Sequence, residues 1–186
     1  MRLFVAIAIP EQERERLASL AQGVPGARWV PAANLHLTLR FIGEVDGRQA
    51  SDIDDALSKI RAPAFSMTLA GVGHFGNGGK PRALWVGVEA GEPLVRLHAK
   101  VEQALQRAGL PPEGRKFKPH VSLARFNANP GRRLYDFMSS HSLYRGTPFV
   151  AEAFVLFSSV LGQGGSSYRA EATYPLVRDT AAALAP

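Results

Sequence analysis

Two short stretches far apart in this chain repeat one arrangement of an imidazole and a hydroxyl, and that repetition constrains the fold more than any other feature. In the first, Asn34-Leu-His-Leu-Thr-Leu-Arg-Phe-Ile-Gly43, His36 and Thr38 alternate with Leu35, Leu37 and Leu39, the period-two pattern of a half-buried strand. A regular strand would put His36, Thr38 and Arg40 on one face. The second, Lys118-Pro-His-Val-Ser-Leu-Ala-Arg-Phe126, sets His120 and Ser122 on one face and Val121 and Leu123 on the other, 84 residues further along. A lone His-x-Thr is a weak signal, because two fixed letters recur by chance. Here both hydroxyl residues are followed by Leu and then by an Arg-Phe pair, in a chain with five histidines. The second copy has one residue more before its Arg-Phe, so Arg125 would leave the face of His120 on a straight strand. A β-bulge near Ala124 is therefore expected, turning Arg125 back.

The remaining segments read as companions for two such strands. Residues 3–9 form an apolar first strand closed by Pro10, and 11–22 a helix ended by Gly23 and Pro25. Residues 28–30 are extended, with Trp29 a core anchor rather than a site residue. A helix over 49–60 carries Ile53, Leu57 and Ile60 on one stripe, and a longer one over 92–108 carries Leu94, Leu97, Val101 and Leu105 before Gly109. His98 beside that stripe reads as structural. Strands are expected over 65–72, 83–88, 117–126, 149–158 and 168–175, a short helix over 132–139, and a frayed tail over 179–186. Each half then holds one motif strand, its companions and a long helix. The fold class is α+β, a single bilobal domain over 1–186 with two pseudo-symmetric antiparallel sheets lining a central groove, helices outside, and the motif strands facing each other across the groove.

Several chemistries are excluded or disfavoured. The chain has no cysteine, which removes disulfides, thiolate metal sites and a cysteine nucleophile. Gly73-His-Phe-Gly-Asn-Gly-Gly79 fails the phosphate-loop pattern, since His74 stands where its first glycine belongs and Pro81 follows Lys80. It reads as a hairpin or loop. Gly162-Gln-Gly164 lacks the third glycine and the following helix of a dinucleotide site. No metal-ligand set is evident, so no cofactor and no metal are expected. The apolar opening meets Pro10 and charged residues too early for a cleavable signal, and no run approaches a membrane span. A cytoplasmic monomer is the expectation.

The net charge of +6 favours an anionic partner. Between Arg107 and Arg133 seven basic residues stand against the single acid Glu113, and this segment brackets the second motif. Two imidazoles can act as proton donor and acceptor near neutrality. Thr38 and Ser122, about 7 Å along their strands from the histidines, would hold the oxygens of one group, with Arg40 or Arg125 countering developing charge. A cyclic phosphodiester suits this equipment. Opening it needs a base for water, an acid for the leaving oxygen and donors for the remaining oxygens.

At these residues the chain resembles the two-histidine phosphoesterase superfamily, in particular the RNA 2′,3′-cyclic phosphodiesterases, also called 2′-5′ RNA ligases (LigT or ThpR). The resemblance runs through Arg2-Leu-Phe4, Arg28-Trp-Val-Pro31, both His motifs, and Leu156 to Tyr168. Ser122 stands where Thr is usual and keeps the hydroxyl. The resemblance implies RNA with a 2′,3′-cyclic phosphate end as substrate and a 2′-phosphate as product. It makes His36 the donor to the departing O3′ and His120 the acceptor that activates water. It also implies ATP-independent 2′-5′ ligation in reverse. Phe41 and Tyr168 are candidates to stack on a base, or core residues. Alternatives are a phosphoesterase for a small cyclic nucleotide or ADP-ribose cyclic phosphate, and an RNA-binding module without turnover.

Overall fold

The computed structural model describes residues 1–77, 79–162 and 165–178. Its strands are β1 (Arg2–Ala8), β2 (Ala27–Trp29), β3 (His36–Glu44), β4 (Phe65–Asn77), β5 (Lys80–Glu89), β6 (His120–Phe126), β7 (Phe149–Ala151), β8 (Ala153–Gly162) and β9 (Gly165–Pro175). The helices are α1 (Glu11–Ser19), α2 (Gly47–Ser58), α3 (Gly91–Arg107) and α4 (Arg132–Ser140). The expected tail over 179–186, Gly78, and Gln163 and Gly164 of the second glycine-rich stretch lie outside the described residues.

The strands follow the order β7-β4-β5-β6-β3-β1-β8-β9, with β2 also paired to β6. Neighbours in this order run antiparallel. The motif strands β3 and β6 adjoin each other through one ladder pair, Leu37 with Val121, and outside the named strands a parallel bridge between Pro63 and Val177 also ties the two sides together. The motif strands are thus neighbours along a seam rather than opposite walls. The lobes are not the two halves of the sequence. Hairpin β4-β5 follows β3 in the chain but pairs with β6, whereas β8-β9 follows β6 and pairs with β1. Each lobe takes its histidine strand from one half of the chain and a hairpin from the other.

Alternation within the strands decides which face the helices cover. Leu3, Val5 and Ile7 of β1, Leu37 and Leu39 of β3, Leu84 and Val86 of β5, and Val121 and Leu123 of β6 form one core with Leu17, Ile53, Leu57, Leu97, Val101, Leu134 and Phe137 of the helices. Each such side chain, fully buried, contributes roughly 1.5–3 kcal/mol. Two helix ends show why the elements stop where they do. The Asp46 side chain accepts from the Gln49 amide at 2.8 Å and starts α2. After α3, Gly109 adopts φ 87° while the Leu110 amide donates back to the Leu105 carbonyl, a left-handed stop that favours glycine. The glycine-rich stretch before Lys80 continues β4 as far as Asn77, and β5 pairs back antiparallel from Lys80.

Candidate active site

Both histidines lie on the helix-free face, one on each side of the seam. Antiparallel register through Leu37 and Val121 sets His36 across from Ser122 and Thr38 across from His120. Ordinary sheet geometry then separates the two histidine positions by about 7–8 Å on the diagonal. The rings are tethered alike. His36 Nδ1 lies 2.7 Å from the Asn34 carbonyl, and His120 Nδ1 lies 2.6 Å from the Lys118 carbonyl. A carbonyl only accepts, so each Nδ1 carries a hydrogen and each Nε2 is the nitrogen left for a ligand. Ser158 Oγ donates to Glu171. Among the described residues the Thr38 and Ser122 hydroxyls make no such bond and remain available.

Burial is the main force pushing both imidazoles below their ordinary 6.5, and the Nδ1 hydrogen bonds oppose it. His36 is lowered further by His120 and by Arg125; His120 is lowered further by Lys118 and by Arg125. The two rings and the Arg125 guanidinium therefore act on one another.

Arg125 reaches this face through a bulge. Between β5 and β6 the register passes from Leu84 opposite Ala124 to Trp85 opposite Ser122, which leaves Leu123 without a partner. Leu123 and Ala124 are consecutively buried, and Arg125 emerges exposed on the histidine side. The expected bulge is present beside Ala124.

Arg40 is the correction. Between β1 and β3 the register passes from Ala6 opposite Thr38 to Val5 opposite Arg40, so Leu39 is the extra residue of a second bulge. Arg40 thereby joins the face of Val5, on the helix side. Its Nε donates to Glu102 of α3 at 2.8 Å, its Nη1 approaches Glu113 at 3.3 Å, and its Nη2 donates to the Pro111 carbonyl at 2.7 Å. It does not share a face with His36 and Thr38. Because both bulges fall at the fourth position of the motif, the copies superpose without a gap: Arg40 corresponds to Ala124, and Phe41 to Arg125.

Aromatic rings wall each histidine. His36 lies 4.8 Å from Phe4 and 5.3 Å, edge-on, from Tyr168, while Phe41 stands 5.9 Å from Phe4 and is 55% exposed. Phe41 and Tyr168 are thus at the site and not in the core. His120 has Phe75 edge-on at 4.7 Å and Trp85 at 6.2 Å, with Lys118 Nζ 4.5 Å over the Trp85 ring. Sequence reasoning missed Phe4, Phe75, Trp85 and Lys118. The available signal was the alternation of Leu84 and Val86 around Trp85, which already put that ring on the other face. Trp85 can lie flat because its cross-strand partner is Gly73, where any Cβ would collide with the indole.

The other histidines sit on the helix side. His74 meets Tyr135 of α4, His98 stacks on Phe117 at 3.9 Å, and His141 closes α4 against the Phe137 carbonyl. The basic segment divides likewise. Arg115 pairs with Glu113 and Arg132 with Asp136, whereas Lys118 and Arg125 face the paired histidines. Among the described residues no cluster of three or more His, Cys, Asp or Glu is arranged to hold a metal, and no helix is long and apolar enough to cross a membrane.

The chain is similar to known proteins in both sequence and fold. Two proteins named RNA 2′,3′-cyclic phosphodiesterase are similar along most of the chain. That of Thermotoga maritima is 31% identical, covering 91% of this chain and 92% of its own. That of Archaeoglobus fulgidus is 32% identical, covering 91% and 97%. Among solved structures, TT0787 of Thermus thermophilus superposes with a TM-score of 0.80 at 28% identity over 96% of this chain and 100% of that one. Escherichia coli LigT complexed with 3′-AMP superposes with 0.79 at 27% identity over 95% and 98%. The family model described as LigT like Phosphoesterase matches twice, over residues 7–85 and 86–168, one copy for each histidine motif. The chain belongs to the LigT-like phosphoesterase family.

Proposed function

We propose that this protein hydrolyses 2′,3′-cyclic phosphate ends of RNA to 2′-phosphates, with His36 as general acid and His120 as general base. The reading rests above all on two identically tethered imidazoles, each standing across the strand pair from the other motif's hydroxyl residue. The activity for which the similar Thermotoga and Archaeoglobus proteins are named supports it. In the reaction a water oxygen attacks phosphorus while His120 Nε2 takes the water's proton. As the P–O3′ bond breaks, protonated His36 Nε2 gives its proton to O3′, leaving a 3′-hydroxyl and a 2′-phosphate. Thr38 and Ser122 donate to the non-bridging oxygens, and Arg125 balances the charge that gathers there. With an RNA 5′-hydroxyl in place of water, the same transfers form a 2′-5′ linkage, driven by release of ring strain.

The test is incubation of the protein, in EDTA, with an RNA bearing a 2′,3′-cyclic phosphate. The expected product carries a 2′-phosphate, and His36→Ala and His120→Ala each lower kcat by about 100-fold or more. A 3′-phosphate product would overturn the roles given to the two histidines, and undiminished turnover in either variant would overturn the mechanism.

A further inference from the structure

β2 carries a charge that the chemistry above does not use. In its ladder with β6, Arg28 stands directly opposite Arg125, while Trp29 stands opposite Ala124. Trp29 packs toward Phe137 of α4, 5.9 Å between ring centroids, and Ala124 is fully buried. Trp29 is therefore on the helix side. Alternation puts Arg28 on the other side, with Arg125 and the histidines.

Directly opposed residues hold their Cβ atoms about 4.5–5.5 Å apart, and like charges so placed destabilise a sheet. Among the described residues no carboxylate relieves this pair. Arg16, Arg40, Arg96, Arg115, Arg132, Arg145, Arg169 and Arg178 each approach a carboxylate, and among the described residues others such as Arg48 and Arg133 do not, so what sets this pair apart is the direct opposition of two arginines. Among the described residues, Arg28 and Arg125 approach none, and both are exposed. A surface that sets two unneutralised guanidiniums side by side is matched to a ligand that brings more than one negative charge. Arg125 acts on both histidines and so belongs to the reacting phosphate. Arg28, on the neighbouring strand, lies beyond it.

Resting on the activity proposed above, we propose that Arg28 binds the phosphodiester on the 5′ side of the terminal nucleotide, making this a two-phosphate site that prefers an RNA chain to a mononucleotide. The ligand class is single-stranded RNA, recognised here by backbone charge and not by base.

The experiment compares two substrates, a short RNA ending in a 2′,3′-cyclic phosphate and the corresponding nucleoside 2′,3′-cyclic monophosphate, in wild type, Arg28→Gln and Arg28→Lys. Arg28→Gln is expected to raise KM for the RNA by about 10-fold and to reduce the salt slope of log kcat/KM by about 0.7, one phosphate contact on a single strand. Its kcat/KM for the mononucleotide stays within about 2-fold, and Arg28→Lys recovers most of the loss. Because the like-charge pair is relieved, the urea midpoint of Arg28→Gln holds or rises, which a structural role for Arg28 would not give. Equal losses on both substrates, or no loss on the RNA, overturn the proposal. If wild type turns over neither substrate, the activity fails separately. Anisotropy of the labelled RNA then decides on Arg28, with a roughly 10-fold weaker Kd in Arg28→Gln supporting it and an unchanged Kd overturning it.

Discussion

An imidazole that must deliver a proton has to hold one first, and burial makes that harder for His36. His120 is also lowered, chiefly by burial, which suits a group that must be neutral to accept. In the free protein both titrations therefore fall below 6.5. Activity as kcat/KM is expected to decline on the alkaline side from a break below 6.5, where His36 loses its proton, and on the acid side where His120 gains one. Arg125 lowers both groups, so Arg125→Ala should move both breaks to higher pH as well as weakening substrate binding by about 10-fold. Profiles of kcat/KM from acid to mildly alkaline pH, for wild type and Arg125→Ala, check this; coincident breaks in the two proteins would refute it.

The two bulges decide what each histidine strand presents. On β6 the bulge carries Arg125 to the histidines; on β3 it carries Arg40 away from them and lets Phe41 take the corresponding place. Arg40 instead ties three pieces of chain: β3, Glu102 of α3, and Glu113 with Pro111 in the segment leading to β6. Glu102 is held below the ordinary carboxylate value: its burial alone would raise it, but the Glu113 amide, Gln106 and Arg40 outweigh that. Removing Arg40 leaves this carboxylate half-answered, and Arg40→Ala is expected to cost about 3 kcal/mol. Urea unfolding measures that loss, and KM of the folded variant stays within about 2-fold. A large KM change with unaltered stability would return Arg40 to the substrate. His36, Thr38, His120 and Ser122 were legible because alternation is a property of each strand alone, and counting from His120 made a bulge before Arg125 necessary. The face of Arg40 was not legible, since the extra residue at Leu39 is set by pairing with β1. The walls made by Phe4, Phe75 and Trp85 were hidden for the same reason: cross-strand register brings them to the histidines, and no single segment encodes it.

At the scale of the whole molecule, the exchanged hairpins mean that neither lobe exists without strands from both halves of the chain, although one ladder pair bridges the seam. Half-molecules are thus poor units, and the histidines at the join depend on the complete fold. That dependence can be read thermodynamically. His36, His98 and His120 are all lowered below 6.5, with burial the leading cause for each. On unfolding they return to their ordinary value, so below it the unfolded chain binds more protons than the native one. Their neutral forms favour the native state fully above 6.5, and this advantage is lost as pH falls from there through the lower native values. Glu102, also lowered, adds a second loss below its ordinary 4.5 as pH falls through its native value. The urea midpoint is therefore expected to fall between pH 7 and pH 5 at constant m-value. The His36→Gln/His120→Gln double variant should show a shallower fall, because two of the three histidines no longer titrate. A midpoint independent of pH over that interval would mean that the buried imidazoles are not the groups coupling protonation to this fold.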